Sequence, residues 1–171
     1  MKINSFVFLL FLLIIIIVPS NAKDCYVEGS PEDFVNKLNV WAELMTHGGY
    51  KTSNVIKINN CKYEILDKNS GVYSCPINAS NELDIFTDKY LKATAIKVCG
   101  ITQNGNPKEA TIDWALAVES LVCGKMSFPD SQELFIKSLN NGYYANKDIE
   151  MVCGIEPNTD NNIWTFIISN K

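Results

Sequence analysis

Ser131-Gln132-Glu133-Leu134-Phe135-Ile136-Lys137-Ser138-Leu139-Asn140-Asn141-Gly142-Tyr143, followed after a short polar gap by Ile149-Glu150-Met151-Val152-Cys153-Gly154-Ile155, is the stretch on which the fold turns. Its first half sets Phe135, Leu139 and Tyr143 at helical spacing and stops at Asn141-Gly142, the residue types that close helices in a left-handed conformation. Its second half is rich in β-branched and apolar residues and reads as a strand. A helix followed by a strand is therefore expected.

The same order of signals recurs along the chain. At a constant offset of 101 residues, Ser30-Pro31-Glu32 answers Ser131-Gln132-Glu133, Phe34-Val35 answers Phe135-Ile136, and Leu38-Asn39 answers Leu139-Asn140. Ser80-Asn81-Glu82 opens the second copy, between these two, and Val98-Cys99-Gly100-Ile101 matches Val152-Cys153-Gly154-Ile155. Self-similarity of this kind is the mark of repeated supersecondary units. Three related units, residues 25–74, 75–122 and 123–171, are expected, each running helix, strand, turn, strand.

Local chemistry supports parts of each unit. Ser30 is a preferred N-cap, Pro31 suits the first helical position, and Phe34, Leu38, Trp41 and Met45 form an apolar stripe that Gly48-Gly49 ends. In the second copy Leu83, Phe86 and Tyr90 carry the helical spacing. Strands are expected over residues 54–58, 94–101 and 149–155. Turn residues follow at 67–71, 104–107 and 157–160, and returning strands at 111–122 and 163–169, where Trp114, Leu116 and Val118 alternate, as do Trp164, Phe166 and Ile168. The expected fold is one α+β domain in which three helices pack on antiparallel β-hairpins and disulfides staple the units.

Residues 1–22 carry Lys2, an unbroken apolar run and a small-residue ending at Ala22, the pattern of a secretory signal cleaved after that residue. The apolar run falls short of the roughly 20 residues a helix needs to cross a bilayer, so no membrane association is expected after signal removal. Beyond the signal, 14 lysines face 19 carboxylates, a net charge of −5, and there is no arginine. An acidic chain without the bidentate guanidinium fork is a poor partner for phosphates, so nucleic acid is not an expected ligand.

All six cysteines, Cys25, Cys61, Cys75, Cys99, Cys123 and Cys153, follow the signal, and an even number in an oxidising compartment implies disulfides. A helix and a returning strand of matched length bring the ends of each unit together, which favours Cys25–Cys61, Cys75–Cys99 and Cys123–Cys153. The rival pattern is Cys61–Cys75, Cys99–Cys123 and Cys25–Cys153. With no Cys-x-x-Cys and a single histidine, neither a metal site nor any cofactor is expected.

The candidate site residues are few. His47 is either a general base beside a glycine turn or a polar residue ending a helix; the lack of a Gly-x-Ser-x-Gly elbow and of a free cysteine partner favours the latter. Asn158-x-Asp160-x-Asn162 imitates the start of a calcium loop but lacks its glycine and its final glutamate, so it reads as a turn. Tyr143 and Tyr144 are aromatic surface candidates, Trp114 and Trp164 read as core, and Asn78-Ala79-Ser80 is the sole glycosylation sequon after the signal. The function expected is extracellular binding of a protein or glycan ligand without catalysis. A secreted carboxylate-based hydrolase of glycosidase type is the alternative.

Overall fold

The computed structural model describes residues 25–47, 57–124, 128–156 and 162–171, without the side chains of 44–47 and 128–129. The signal stretch, most of the strand expected over 54–58 and the turn expected over 157–160 lie outside the described residues. Among the described residues the elements are α1 (Pro31–His47), β1 (Lys62–Ile65), β2 (Ser70–Asn78), β3 (Asn81–Asp88), β4 (Ala93–Ile101), α2 (Glu109–Val122), α3 (Phe128–Asn141), β5 (Tyr143–Ala145), β6 (Ile149–Ile155) and β7 (Ile163–Asn170). The fold is α+β, as the pattern of helical and strand signals suggested. No helix among the described residues is long and apolar enough to cross a membrane.

The strands form one seven-stranded antiparallel sheet in the order β1-β2-β3-β4-β7-β6-β5. Two meanders, β1–β4 and β5–β7, therefore join edge to edge at β4 and β7. Strand alternation sends Leu83, Ile85, Ile96, Val98, Met151, Cys153, Phe166 and Ile168 to one face, where all are buried. The helices cover that face: α2 packs on β4, α3 on β5 and β6, and α1 against α2. Trp41 of α1 meets Trp114 of α2 with ring centroids 6.4 Å apart, and Phe135 of α3 meets Phe166 edge-on at 5.4 Å.

The caps of α1 and α3 follow from their sequences. The Asp33 N–H donates to Ser30 Oγ at 3.2 Å, the N-cap bond expected of that serine. Gly142, at φ +71, ends α3. Inside α1, Asn39 is buried and acts as a piece of backbone, with Oδ1 accepting from the Ile58 N–H at 2.7 Å and Nδ2 donating to the Ile58 carbonyl at 3.0 Å.

Two elements differ in type from the sequence expectation. Residues 81–88 form strand β3 where the second unit was to have its helix: Leu83, Ile85 and Thr87 are buried while Glu82, Asp84 and Phe86 face the other way, a clean period of two. Residues 109–122 form helix α2 where a returning strand was expected. Thr111, Trp114, Ala115, Val118 and Val122 are its buried face, at helical spacing, and three alanines lower the cost of the helix. The alternation of Trp114, Leu116 and Val118 was real but secondary to that period. The order helix, strand, strand thus does not recur in the second unit.

The disulfides are Cys25–Cys123 and Cys61–Cys75. The expected pairs Cys25–Cys61, Cys75–Cys99 and Cys123–Cys153 are corrected: β3 stands between Cys75 and Cys99 where a helix was needed, and Cys25 and Cys123, each expected to close its own unit, are joined to each other. Of the rival pattern only Cys61–Cys75 is present. The β1–β2 register, with Lys62 opposite Ser74, carries on to set Cys61 opposite Cys75. Cys25 is drawn to the end of α2, where the Tyr26 N–H donates to the Val122 carbonyl at 3.1 Å. Cys99 and Cys153 remain thiols. Cys153 shares a row with Val98 and Phe166 on the helix-covered face, whereas Cys99 shares the next row, with Thr165 and Gly154, on the opposite face. A sheet lies between the two thiols, so they do not bridge.

Candidate functional site

The β3–β4 hairpin builds the most distinctive surface. Asp88 holds its turn: Oδ1 accepts from the N–H groups of Tyr90 at 2.8 Å and Lys92 at 3.0 Å, while the Asp88 N–H donates to the Lys92 carbonyl at 3.0 Å. The turn places Leu91 at φ +59, in the left-handed region that disfavours any branched side chain. Tyr90 is 70% exposed and Leu91 45% exposed. Lys89 sets its ammonium 4.9 Å from the Tyr90 ring centroid. A bulky apolar pair therefore stands at the tip of a hairpin whose hydrogen bonds do not need it.

Beside this tip runs the segment from Tyr26 to Glu32. The Ala93 N–H donates to the Gly29 carbonyl at 2.9 Å, and Asn170 of β7 clasps Val27 from both sides, donating to its carbonyl at 2.7 Å and accepting from its N–H at 2.9 Å. Gly29, at φ +97, lets the chain bend there. Between segment and hairpin lies a cleft of about 680 Å³ walled by Tyr26, Glu28, Glu32, Tyr90, Leu91 and Lys92. Asp88 also lines it, so that among the described residues three carboxylates and one lysine line the cleft. The Glu32 carboxyl titrates below its usual range, held first by a backbone N–H and then by the Tyr73 hydroxyl, which donates to Oε1 at 2.9 Å.

A second cleft of about 410 Å³ opens at the other end of the sheet, around the β2–β3 turn, with Lys62, Asn78, Glu82, Cys99 and Ile101 on its walls. Burial, and then the neighbouring Asp84, raise Glu82 above the usual carboxylate range. Burial pushes the Cys99 thiol up to about 11, which keeps it protonated and a poor nucleophile at neutral pH. Lys97 pairs with Glu156 at 2.7 Å on the same face of the sheet.

The residues singled out in the sequence do not converge. Asn78 is half-buried at the end of β2, its Oδ1 accepting from the Ser80 N–H at 2.8 Å. Tyr143 is exposed on β5, while Tyr144 turns to the helix side and packs on the core. Trp114 and Trp164 are buried, as read. His47 is the last residue of α1, and its side chain lies outside the described residues. Tyr90 and Leu91 escape the sequence analysis as a site, because Tyr90 fits the helical spacing of Leu83 and Phe86. The available signal was Asp88, a residue that builds turns through its side chain.

One further ionisable group stands apart from both clefts. Glu119 of α2 is wholly buried against α3, where Ser131 donates its hydroxyl to Oε2 at 2.9 Å and Oε1 has no hydrogen-bond partner among the described residues. Burial raises its pKa to about 7. Compared with known proteins, the chain matches no family model, no curated protein and no solved structure.

Proposed function

We infer that the chain is a secreted binding protein without catalytic activity, engaging an extracellular protein or glycan through the tip of the β3–β4 hairpin and the cleft beside it. The observation that carries this reading is Leu91 held at φ +59 next to an exposed Tyr90. A left-handed leucine costs about 1–2 kcal/mol, and glycine or asparagine would serve the turn without that cost. Local strain of this kind gathers at sites where function requires it. Aromatic side chains presented by a rigid element are the usual anchors of interfaces and also stack on sugar rings. The signal-like residues 1–22 and the two disulfides support an extracellular setting.

Fluorescently labelled mature protein should bind intact cells of the source organism saturably, in competition with unlabelled protein. Tyr90→Ala should weaken that binding at least about 30-fold, the loss of an anchor residue, and Val40→Ser on the outer side of α1 should not. Equal binding by the Tyr90 variant would remove the hairpin from the account. The hydrolase alternative draws support from Glu82, whose raised pKa suits a general acid and which lines the second cleft. Glycan cleavage that disappears in Glu82→Gln would replace the binding reading.

A further inference from the structure

The geometry points to a second interaction surface, the open edge of β1, with a second copy of this chain as its partner. β1 pairs only with β2 among the described residues, and all four of its residues are exposed. Ile65 is 71% exposed and Leu66, just beyond it, 52% exposed. An exposed edge carrying apolar side chains is a template for strand addition.

The backbone sets which groups this edge offers. The Leu66 N–H donates to the Ser70 carbonyl at 3.0 Å, and the two-residue alternation of an antiparallel ladder then turns the Glu64 and Lys62 amides toward β2 as well. The N–H and C=O groups of Tyr63 and Ile65 therefore face outward. A two-fold axis at Tyr63 lets the two Tyr63 residues exchange both bonds across the new junction.

Side chains select that register over its neighbours. With Tyr63 opposite Tyr63, Lys62 of each chain lies opposite Glu64 of the other on one face of the joined sheet. Cys61 lies opposite Ile65 on the other face, beside the tyrosines. A shift of the axis to Glu64 sets glutamate against glutamate, and a shift to Lys62 sets lysine against lysine, both unfavourable. Self-complementarity of this kind is what an isologous interface requires. The edge is also pre-ordered: Cys61–Cys75 fixes the start of β1 to β2, and Tyr63 packs on Tyr73 with ring centroids 4.9 Å apart.

Four residues of strand bury far less than the roughly 1,200–2,000 Å² of a stable complex, so the dimer is weak and concentration-dependent. Sedimentation velocity on the mature chain, carried up to about 1 mM, should show reversible dimerisation. Glu64→Lys and Lys62→Glu should each weaken it roughly tenfold, because each sets like charges opposite one another on both sides of the axis. The double swap Lys62→Glu with Glu64→Lys should restore it to within about threefold. All three variants alter exposed side chains, and unchanged circular dichroism confirms that they fold. A chain that stays monomeric over the whole range overturns the proposal, as does a dimer indifferent to the single changes or one that the double swap fails to restore.

Discussion

Strand β3 begins and ends in a hairpin, and the two hairpins are held in the same way but spend their tips differently. At the start, Asn78 accepts the Ser80 N–H, and the tip is Ala79-Ser80, two small residues. At the end, Asp88 accepts the N–H groups of Tyr90 and Lys92, and the tip carries Tyr90 and a left-handed Leu91. A short side chain bonded to the backbone two residues on is sufficient to turn the chain in both places. Bulk at the second tip is therefore not explained by turning, and on the proposed function this contrast separates a hairpin that closes the sheet from one that presents a surface.

A disulfide stands near each hairpin, and removing them should separate the two ends most strongly. Cys25–Cys123 spans 98 residues and holds the segment that walls the Tyr90 cleft. Replacing both cysteines by serine should cost about 4.7 kcal/mol in the chain-entropy model and loosen that cleft. Cys61–Cys75 spans 14 residues near the Asn78 end, and its loss should cost about 3 kcal/mol. Urea unfolding of the two double-serine variants checks the order of the effects. Equal costs would mean that the long loop is already restrained in the unfolded chain.

The helical layer should answer to pH through Glu119. Glu119 titrates at about 7 in the folded chain against an ordinary 4.5, so folding favours its protonated form. Its contribution is therefore full below about pH 4.5 and is lost as pH rises to about 7, a fall of about 3 kcal/mol at most. Glu119→Gln should flatten that slope and make the protein more stable than the parent above pH 7. Chemical unfolding across pH 4 to 9 measures both, and a parallel slope in the variant would assign the pH dependence to other groups.

The smallest effects sharpen the comparison through their signs. Leu91→Gly relieves a left-handed leucine and should stabilise the fold by about 1 kcal/mol. Ala79→Gly removes no such strain and should destabilise it by about 0.5 kcal/mol. Thermal unfolding of the pair tests this, and a loss of stability in Leu91→Gly would show that Leu91 is kept for packing.

Much of the architecture was legible in the sequence because local and tertiary signals agreed there. Ser30-Pro31 opened a helix, Gly142 closed another, the turn residues at 67–71 joined two strands, and β4, β6 and β7 fell on the β-branched segments. Where two periods coexisted, the choice depended on partners distant in the chain. Leu83 and Phe86 fit a helix, but Leu83, Ile85 and Thr87 fit a strand, and the neighbours β2 and β4 on both sides decided for the strand. Trp114 to Val118 fit a strand, yet the face presented to β4 and α1 follows a helical period. The disulfides inherited both errors, since pairing depends on which elements lie between cysteines. The candidate site was less legible still: no residue of the Asp88 to Lys92 turn is glycine or asparagine, so nothing in the sequence marked Leu91 as left-handed.

The central claim is that the second hairpin presents a surface and the first does not. Photo-crosslinking tests it most directly, with a benzophenone side chain placed at position 90 in one variant and at position 79 in another, each incubated with intact cells of the source organism. Position 90 should give a discrete adduct that unlabelled protein competes away, and position 79 should give none. Equal adducts at the two positions, or an adduct at position 79 alone, would contradict it.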